Sequence, residues 1–346
     1  MKNILVTGGL GFIGSHTCVS LLECGHKIII VDSNITFASQ IISRLKKIGE
    51  LKKIDFGKNI FLFEGDIRNK EFLNEVFNTS RKLNMTIDAV IHFAGLKSVR
   101  ESVNNPLIYW DVNVCGSLNL FEVMNNQKCK TLVFSSSATV YGINNKILTE
   151  DLELRPFNPY GFTKATIENI LKNIYESDKK WRIANLRYFN PVGSHISRLI
   201  FENPKENFSN LFPSIMKVLK GKQKKLFIYG NNWPTKDGTC IRDFIHVSDL
   251  AQAHIAAIDY IQDKSNMCEI FNIGTGNWYS VLQIVNRFNE LSNNRVPYEI
   301  KERREGDIAY CFADCDKAKS ILKWKAKKSL NDMINDCIYF VDNSNK

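Results

Sequence analysis

Tyr160 and Lys164 lie one helical turn apart in a stretch with helical spacing, and Ser137 ends an apolar, strand-like run upstream of them. A tyrosine phenol, with a free pKa near about 10, is a weak base at neutral pH and needs a nearby cation that favours the phenolate. Lys164 is placed to supply that charge, because residues one turn apart share a helix face. Ser137 can add a hydrogen bond to the same substrate oxygen. These residues in this order predict proton transfer at a substrate oxygen during a redox step.

The chain opens with a glycine-rich turn between a β-rich run, Asn3–Val6, and a run with helical spacing, Phe12–Cys24. Glycines let backbone amides approach a pyrophosphate at a helix N-terminus. The strand, turn and helix together predict a dinucleotide site. The glycines of this turn are Gly8, Gly11 and Gly14.

Asp32 ends a second strand-like run, Lys27–Val31. A carboxylate at this place can accept hydrogen bonds from a ribose diol. The next residue is Ser33 rather than an arginine that would accommodate a 2′-phosphate. We therefore predict that the dinucleotide is NAD and not NADP.

The 346-residue chain is 44% hydrophobic and long enough for one large domain or two unequal ones. No stretch approaches the roughly 18 apolar residues typical of a membrane span, so we predict no membrane association. The nine cysteines are scattered without CxxC pairs, which favours a reducing compartment. Because a strand is predicted from residue 3, we expect no signal peptide and a cytoplasmic location.

The net charge is +10, from 46 Lys and Arg against 36 Asp and Glu, and a basic chain invites a nucleic-acid hypothesis. The lysines, however, fall near predicted helix ends and loops, as at 46–53, 222–225 and 323–328. Such runs are typical of solvated faces. The sequence has no zinc finger, RNP aromatic pair or arginine-rich helix. We therefore predict no nucleic-acid partner, and a polyanionic small molecule would suit the same charge.

Strands and helices alternate along the first part of the chain, which predicts an α/β fold with a doubly wound parallel sheet of the Rossmann type. We assign residues 1–190 to an NAD-binding domain. Residues 191–346 are assigned to a smaller α+β substrate domain, with some segments crossing back to the first. Further predicted strands are Ile60–Phe63, Asp88–Phe93, Thr131–Ser135, Arg182–Phe189 and Leu226–Tyr229. Predicted helices cover about 69–84, 107–127, 160–178, 209–220, 248–262, 280–292 and 329–342.

Blocks along almost the whole chain resemble the extended short-chain dehydrogenases/reductases and, more narrowly, the UDP-glucose 4-epimerase family. The Leu186–Gly193 and Arg303–Asp307 blocks are much more specific to this family than the signature shared by the whole superfamily. The other matching blocks are Val6–Thr17, Glu64–Arg68, His92–Lys97, Ser135–Gly142, Tyr160–Lys164 and Asp237–Val247.

The resemblance implies that a tyrosine removes the proton of the sugar 4-hydroxyl while the C4 hydrogen passes as hydride to tightly bound NAD. The 4-keto sugar then turns over in its pocket, and the hydride returns to the opposite face. Tyr160 matches the base, and Ser137 matches the hydroxyl that shares the proton. Lys164 matches the residue that lowers the pKa of the tyrosine and holds the nicotinamide ribose.

The resemblance also implies two sets of contacts, one to NAD and one to a UDP-hexose. Two arginines facing a diphosphate make chemical sense, because guanidinium groups pair bidentately with phosphate oxygens. The stretch 34–38 departs from the family's adenosine-side loop. The implied NAD contacts are Gly8, Gly11, Phe12, Ile13, Gly14, Asp32, Asp66, Ile67, Phe93, Ala94, Gly95, Lys97, Asn113, Ser135, Tyr160, Lys164 and Phe189. The implied substrate contacts are Lys97, Ser137, Tyr160, Asn190, Asn210, Leu211, Tyr229, Arg242, Arg304, Asp307 and Cys311.

Ala138 and Thr139 follow Ser137, where related sugar-nucleotide dehydratases carry an Asp-Glu pair and decarboxylating relatives a Glu. Without that acid, elimination has no obvious catalyst, so oxidation and return of the hydride is preferred. Two alternatives stay open. One is an epimerase of another UDP-sugar, such as a uronic acid or a pentose, and the other is a non-catalytic NAD sensor, which would be expected to lose Tyr160 or Lys164.

Cys311 falls where some family members place a tyrosine against the sugar C2 side and others have a small residue and also accept N-acetylated sugars. A thiol leaves more volume than a phenol, and a tight pocket responds even to one methylene. We therefore predict turnover of UDP-N-acetylglucosamine and its galacto epimer. Cys311 and Cys315 have no second Cys or His pair at ligand spacing, so no metal is predicted. The resemblance further implies a homodimer formed by the helices near 98–127 and 160–178.

Overall fold

The computed structural model describes residues 1–33, 35–144, 147–202, 210–262, 264, 266–293, 295–304 and 307–343. The side chains at 34–38, where the sequence departs from the family's adenosine-side loop, are not among those that the structure describes. The strands are β1 (Asn3–Thr7), β2 (Lys27–Asp32), β3 (Ile60–Glu64), β4 (Ala89–His92), β5 (Thr131–Ser137), β6 (Arg182–Tyr188), β7 (Asn190–Val192), β8 (Leu226–Tyr229), β9 (Ile241–His246), β10 (Met267–Ile273), β11 (Trp278–Ser280), β12 (Tyr298–Lys301) and β13 (Tyr310–Cys311).

The helices alternate with the strands in the first half of the chain, and further helices lie among the strands of the second half. They are α1 (Phe12–Glu23), α2 (Ile35–Leu51), α3 (Lys70–Lys82), α4 (Val99–Asn104), α5 (Pro106–Tyr109), α6 (Gly116–Asn126), α7 (Pro159–Ser177), α8 (Leu211–Leu219), α9 (Val247–Gln262), α10 (Val281–Ser292), α11 (Asp316–Ile321) and α12 (Leu330–Asn343). Short 3₁₀ helices cover Gly57–Asn59 and Ala138–Tyr141, and a π-helix covers Trp110–Cys115.

Seven parallel strands form the central sheet in the order β3-β2-β1-β4-β5-β6-β10. The strands are apolar on both faces, as parallel sheets covered by helices require. Ile4 and Ile28 face one core, while Leu5 and Ile29 face the other. The strand order reverses at β1, which pairs with both β2 and β4. In such sheets ligands bind at this reversal, beyond the carboxyl ends of the strands. The predicted Rossmann-type fold is confirmed.

A four-stranded sheet of β7, β9, β11 and β13 lies next in the chain order. It is joined directly to the central sheet, because β7 begins two residues after β6 ends. A further core around Phe212, Ile284 and Phe288 packs α8, α10 and α12 together. Two segments after residue 190 return to the first half: β10 joins the central sheet beside β6, and α9 packs against α1.

One predicted helix has a different form in the structure. The stretch 107–127 is not a single α-helix, because the π-helix separates α5 from α6. A π-turn adds a residue to the helical repeat and is frequent at functional sites. Within the part of the chain that the structure describes, no helix is long and apolar enough to cross a bilayer.

Candidate active site

Helix α7 carries both Tyr160 and Lys164 at its start. Its first turn is fixed by the Asn158 side chain, which accepts a hydrogen bond of 2.9 Å from the Gly161 amide, and by Pro159 at the first helical position. Tyr160 is 9% exposed and Lys164 4% exposed. The two side chains that could do acid–base chemistry are therefore held in the interior, beside the carboxyl end of β5.

The Lys164 ammonium is held between α7 and β5. It donates a 2.7 Å hydrogen bond to the Ser135 carbonyl and lies 4.9 Å from the centre of the Phe134 ring. It is 5.9 Å from the centre of the Tyr160 ring. Burial lowers the pKa of Lys164 to about 8, and the carboxylate of Glu168 acts in the opposite direction. Lys164 is therefore a cation at neutral pH, close to the phenol.

Ser137 is the last residue of β5, and its hydroxyl lies near the Tyr160 phenol, where it lowers the pKa of that phenol. The Ser137 oxygen also accepts hydrogen bonds from the Thr139 amide, at 3.2 Å, and from the Thr139 hydroxyl, at 3.0 Å. Burial raises the pKa of Tyr160 to about 12, while the Ser137 hydroxyl acts in the opposite direction. The pKa is therefore raised where the sequence predicted a lowered value, because desolvation disfavours the phenolate.

The glycine turn between β1 and α1 fits a bound pyrophosphate. A Cβ atom on Gly14 would lie 2.3 Å from the Gly8 carbonyl oxygen, and one on Gly8 would lie 2.7 Å from the Ala94 amide nitrogen. Helix α1 starts at Gly11 without a side-chain cap and without an acidic residue in its first turn. Its N-terminal amides and dipole therefore suit an anion.

Asp32 ends β2 and lies beside the same turn. One carboxylate oxygen accepts a 3.0 Å hydrogen bond from the Leu10 amide, so the acid predicted to bind a ribose is attached to the glycine turn. Next to it, the carboxylate of Asp66 is bound by Arg68, whose hydrogen bonds hold the pKa of Asp66 below its usual value. Ile67 follows Asp66 and is buried. Asp32, Asp66 and Ile67, all predicted NAD contacts, therefore lie at or just beyond the carboxyl ends of the neighbouring strands β2 and β3.

Asn113 in the π-helix ties the loop after β4 to α7. Its side chain accepts a 2.7 Å hydrogen bond from the Leu96 amide and donates to the Leu96 carbonyl at 3.1 Å. It also donates to the Thr163 hydroxyl at 3.1 Å, and that hydroxyl donates to the Tyr160 carbonyl at 2.7 Å. A side chain on Gly95, whose φ is +154°, would reach within 2.9 Å of the Asn113 oxygen. Asn113 thus positions the loop that was predicted to contact NAD.

The remaining predicted NAD contacts line the carboxyl ends of β4 and β6. Phe93 packs on His254 with ring centres 4.7 Å apart, and the Ala94 amide donates to the Thr7 hydroxyl at 3.4 Å. Phe189 is buried in a small core near Ala138. The Lys97 ammonium lies 3.5 Å from a carboxylate oxygen of Glu202. In this arrangement Lys97 bridges the loop after β4 and the second half of the chain.

A series of buried side-chain hydrogen bonds at this edge of the sheet was not predicted from the sequence. His92 at the end of β4 contacts the Thr7 hydroxyl at 2.6 Å through Nδ1 and the Ser117 hydroxyl at 2.9 Å through Nε2. Burial lowers the pKa of His92 to about 3, so the ring is neutral. The signal was present, since a histidine ending an apolar strand needs polar partners, but those partners lie far away in the sequence.

Arg242 and Cys311 are brought side by side by the register of β9 and β13. The Arg242 guanidinium donates to the Ile241 carbonyl at 2.8 Å. Asn190 on β7 also pairs with β9, and its side-chain amide donates to the Asp243 carbonyl at 2.8 Å. Three residues predicted to contact substrate therefore share one small sheet, which begins directly after the central sheet.

Tyr229, Arg304 and Asp307 form a second cluster at the end of β8. The Arg304 guanidinium lies 4.5 Å from the centre of the Tyr229 ring and 3.0 Å from an Asp307 carboxylate oxygen. Asn210 and Leu211 stand apart from it at the start of α8, where the Asn210 side chain makes no cap hydrogen bond. An aromatic ring under a guanidinium suits a nucleotide base and its phosphates.

The thiol of Cys311 is half-buried and packs on the small core that contains Ala138 and Phe189. Burial raises its pKa to about 11, so it is a neutral, small side chain. Among the residues described, no group of three or more His, Cys, Asp and Glu is arranged to hold a metal ion.

Comparisons with known proteins show the family of this chain. The family model described as GDP-mannose 4,6 dehydratase matches residues 5–337. UDP-glucose 4-epimerase from Bacillus subtilis is 45% identical over 334 residues, which are 96% of this chain and 95% of the relative. The crystal structure of UDP-glucose-4-epimerase from Stenotrophomonas maltophila, with bound NAD and formylated UDP-arabinopyranose, gives a TM-score of 0.92 at 40% identity. That match covers 100% of this chain and 99% of the other.

A further solved structure, the UDP-Glc/GlcNAc 4-epimerase of Campylobacter jejuni, gives a TM-score of 0.82 at 31% identity and covers 99% of each chain. The family model bears the name of a dehydratase, whereas these relatives are epimerases. In this chain Ala138 and Thr139 follow Ser137 in a 3₁₀ helix that has no acidic side chain. The chain belongs to the UDP-glucose 4-epimerase family of the extended short-chain dehydrogenases/reductases.

Proposed function

We propose that this protein is an NAD-dependent epimerase that interconverts UDP-glucose and UDP-galactose at C4. The observation that supports it most is the joint placement of Tyr160, Ser137 and Lys164 at the carboxyl edge of the sheet that also carries the glycine turn. The small sheet that carries Arg242 begins directly after β6, because β7 pairs with β9 in that sheet.

The residues that would hold NAD are those of the glycine turn and its neighbours, above all Gly8, Gly14 and Asp32. Lys164 would bind the nicotinamide ribose. Bound NAD⁺ would supply a hydride acceptor for the sugar C4 hydrogen and a positively charged ring.

Tyr160 would take the proton of the sugar 4-hydroxyl and return it after the sugar has turned over. The Ser137 hydroxyl would share that proton, because it lies near the phenol and lowers its pKa. The Lys164 ammonium favours the phenolate by its charge. Acid–base work of this kind contributes about 10² to 10⁴ in rate.

The UDP group would be held by Arg242 and Arg304, with Tyr229 beneath the second guanidinium. Holding the diphosphate away from C4 leaves the hexose free to rotate between the two hydride transfers. Asn190, Asn210, Leu211, Lys97 and Asp307 complete the proposed substrate contacts.

Purified protein incubated with UDP-galactose tests this function directly. We expect UDP-glucose to form without added NAD. The final ratio of the two UDP-sugars should be the same whether the reaction starts from UDP-galactose or from UDP-glucose. Denaturing the protein should release NAD in near-equal amount to the chain. A non-catalytic NAD sensor would release NAD but leave the sugar unchanged, which would refute the proposal.

We further propose that N-acetylated UDP-hexoses are substrates, because Cys311 leaves space where a tyrosine would fill it. Cys311→Tyr should lower kcat/KM for UDP-N-acetylglucosamine by about 10-fold or more, since overpacking a tight pocket costs about 1–3 kcal/mol. Its effect on UDP-glucose should be small. Comparing both substrates in both proteins measures this, and unchanged acetyl-sugar turnover in Cys311→Tyr would remove the argument.

A homodimer through α4–α7 and the intervening π-helix is also proposed. Exposed apolar side chains are concentrated there, and Leu107 alone is 82% exposed. Large exposed apolar patches mark protein interfaces. The side chains are Val103, Leu107, Ile108, Trp110, Leu118 and Phe162.

Leu107→Glu should convert the dimer into a monomer, because it places a charge among these apolar side chains. Light scattering after size exclusion would show the mass fall by half. Leu51→Glu is the matched control, since Leu51 is 64% exposed at the end of α2, and it should stay dimeric. A wild-type chain that elutes as a monomer would contradict this assembly.

The division into a cofactor domain, 1–190, and a substrate domain, 191–346, remains part of the proposal, with α9 and β10 returning to the first. We also propose a cytoplasmic location. All nine cysteines are free thiols, which suits a reducing compartment.

A further inference from the structure

A buried ion pair joins the catalytic helix α7 to strand β6. Glu168 is one turn beyond Lys164 on α7, and Arg187 is on β6. The Arg187 Nη2 atom lies 2.6 Å from Glu168 Oε2, and Nε donates to both carboxylate oxygens at 3.0 and 3.2 Å. The Glu168 side chain is 4% exposed and the Arg187 side chain is 2% exposed. Because buried ion pairs contribute little stability compared with apolar side chains, this pair calls for a role besides folding.

The carboxylate of Glu168 also holds β5 at the place where the strand meets the active site. It accepts a hydrogen bond from the Ser136 hydroxyl, and Ser136 lies opposite Arg187 in the strand register. Ser136 stands between Ser135, whose carbonyl binds Lys164, and Ser137, whose hydroxyl contacts the phenol. Glu168 therefore fixes the strand segment that carries both contacts.

The guanidinium of Arg187 is directed to other partners on its far side. Its Nη1 atom donates to the Tyr141 hydroxyl at 3.1 Å and to the Glu150 carbonyl at 3.2 Å. The Tyr141 hydroxyl in turn donates to the Asn272 side chain at 2.6 Å. Arg187 on β6 is thus linked through Tyr141 to Asn272 on β10. The Glu168 carboxylate acts on the Lys164 ammonium, where it counteracts the effect of burial on the pKa of Lys164.

Two buried titratable groups near this pair are neutral at pH 7. Burial lowers the pKa of His92 to about 3 and raises that of Cys268 to about 11. Charged groups of the π-helix and α4 that pack on α7 pair elsewhere, Asp111 with Arg68 and Glu101 with Tyr109. The titratable and charged groups around Lys164 and Glu168 are Tyr160, His92, Tyr141, Glu150, Lys172, Arg187, Tyr188 and Cys268. Of the two carboxylates in this set, that of Glu168 acts on Lys164.

We infer that Glu168, held by Arg187 and Ser136, is a positioning residue that keeps Lys164 protonated and sets the spacing of β5 against α7. The inference rests on the proposed function, in which a protonated Lys164 favours the phenolate of Tyr160. It explains why a charged pair is kept where apolar side chains would pack.

The test removes the charge and follows Lys164 itself. Glu168→Gln leaves Arg187 without its partner and can fail to fold, so the informative variant combines it with Arg187→Met. The protein is labelled with ¹³C in its lysines, and the NMR resonance of Lys164 is assigned by its loss in Lys164→Arg. The chemical shift of this resonance reports the protonation of Lys164. We expect its pKa to fall by about one unit, tenfold in the protonation constant. The pH at which kcat declines on the alkaline side should fall by the same amount, and KM should stay within about twofold of the wild-type value.

Ser136→Ala is the matched control, because it removes the strand anchor and keeps the charge. It should lower kcat through geometry while the Lys164 titration and the alkaline limb stay in place. A folded double variant with an unchanged Lys164 titration would overturn the inference. If the wild-type chain fails to interconvert UDP-hexoses, the proposed function fails, and the NMR titration still decides whether Glu168 keeps Lys164 protonated.

Discussion

Replacing Tyr160 by phenylalanine should lower kcat for UDP-galactose by about 10² to 10⁴. The change removes one hydroxyl from a ring that is 9% exposed, so packing is kept and the fold should persist. What is lost is the atom that exchanges the proton with the sugar 4-hydroxyl. Because the phenol is not proposed to hold the pyrophosphate, NAD released on denaturation should stay near-equal to protein.

Tyr175→Phe is the matched control for this prediction. Tyr175 lies on the same helix, where its ring contacts the Lys179 ammonium at 4.2 Å, and its loss of a hydroxyl should leave kcat within about twofold. Initial rates from a coupled assay, with NAD content measured on the same samples, separate chemistry from cofactor loss. A Tyr160→Phe protein that keeps more than a tenth of wild-type kcat would assign the proton transfer to another group.

Most of the central sheet could be predicted from the sequence, because its strands are short apolar runs whose character does not depend on distant residues. Thr131–Ser137 and Lys27–Asp32 were found within two residues of their ends. Helix α2 was missed. The strand β10 was missed as well, since the alternation in Met267–Ile273 resembles a half-exposed segment until β6 is placed beside it.

The π-helix could not be predicted from local spacing. Its extra residue places Asn113 where one amide side chain bonds to Leu96 and Thr163 together, and those partners lie on a loop and a helix distant in the chain. Tertiary hydrogen bonds therefore decide the helical form here, and propensity does not.

The types of the catalytic residues were evident from the sequence, but their electrostatics were not. Spacing placed Lys164 beside Tyr160, which predicted a lowered phenol pKa. The structure shows burial acting on both groups, raising the pKa of Tyr160 to about 12 and lowering that of Lys164 to about 8. Desolvation depends on what covers a side chain, and this is a property of the assembled sheet and helices. The partners Ser136 and Glu168 were overlooked for the same reason.

Gly14→Ala should abolish tight binding of NAD. The added Cβ would lie 2.3 Å from the Gly8 carbonyl oxygen and 2.8 Å from the Gly9 Cα atom, both backbone atoms that cannot rotate away. The turn must open, and the amides at the start of α1 then leave their places. We expect NAD released per chain to fall at least about tenfold and the melting temperature to drop, since a backbone clash in a core is among the larger single-residue effects.

Gly25→Ala provides the comparison for a generic loss of glycine. Gly25 has φ +77° and no atom within 4 Å of an added Cβ, so the substitution strains the backbone by about 1–2 kcal/mol and touches nothing. It should lower the melting temperature and leave the NAD content at the wild-type level. If Gly14→Ala also keeps its NAD, close backbone approach at that glycine is not what forms the cofactor site. If both variants lose it equally, general destabilisation accounts for the loss, and the glycine turn has no special part in binding.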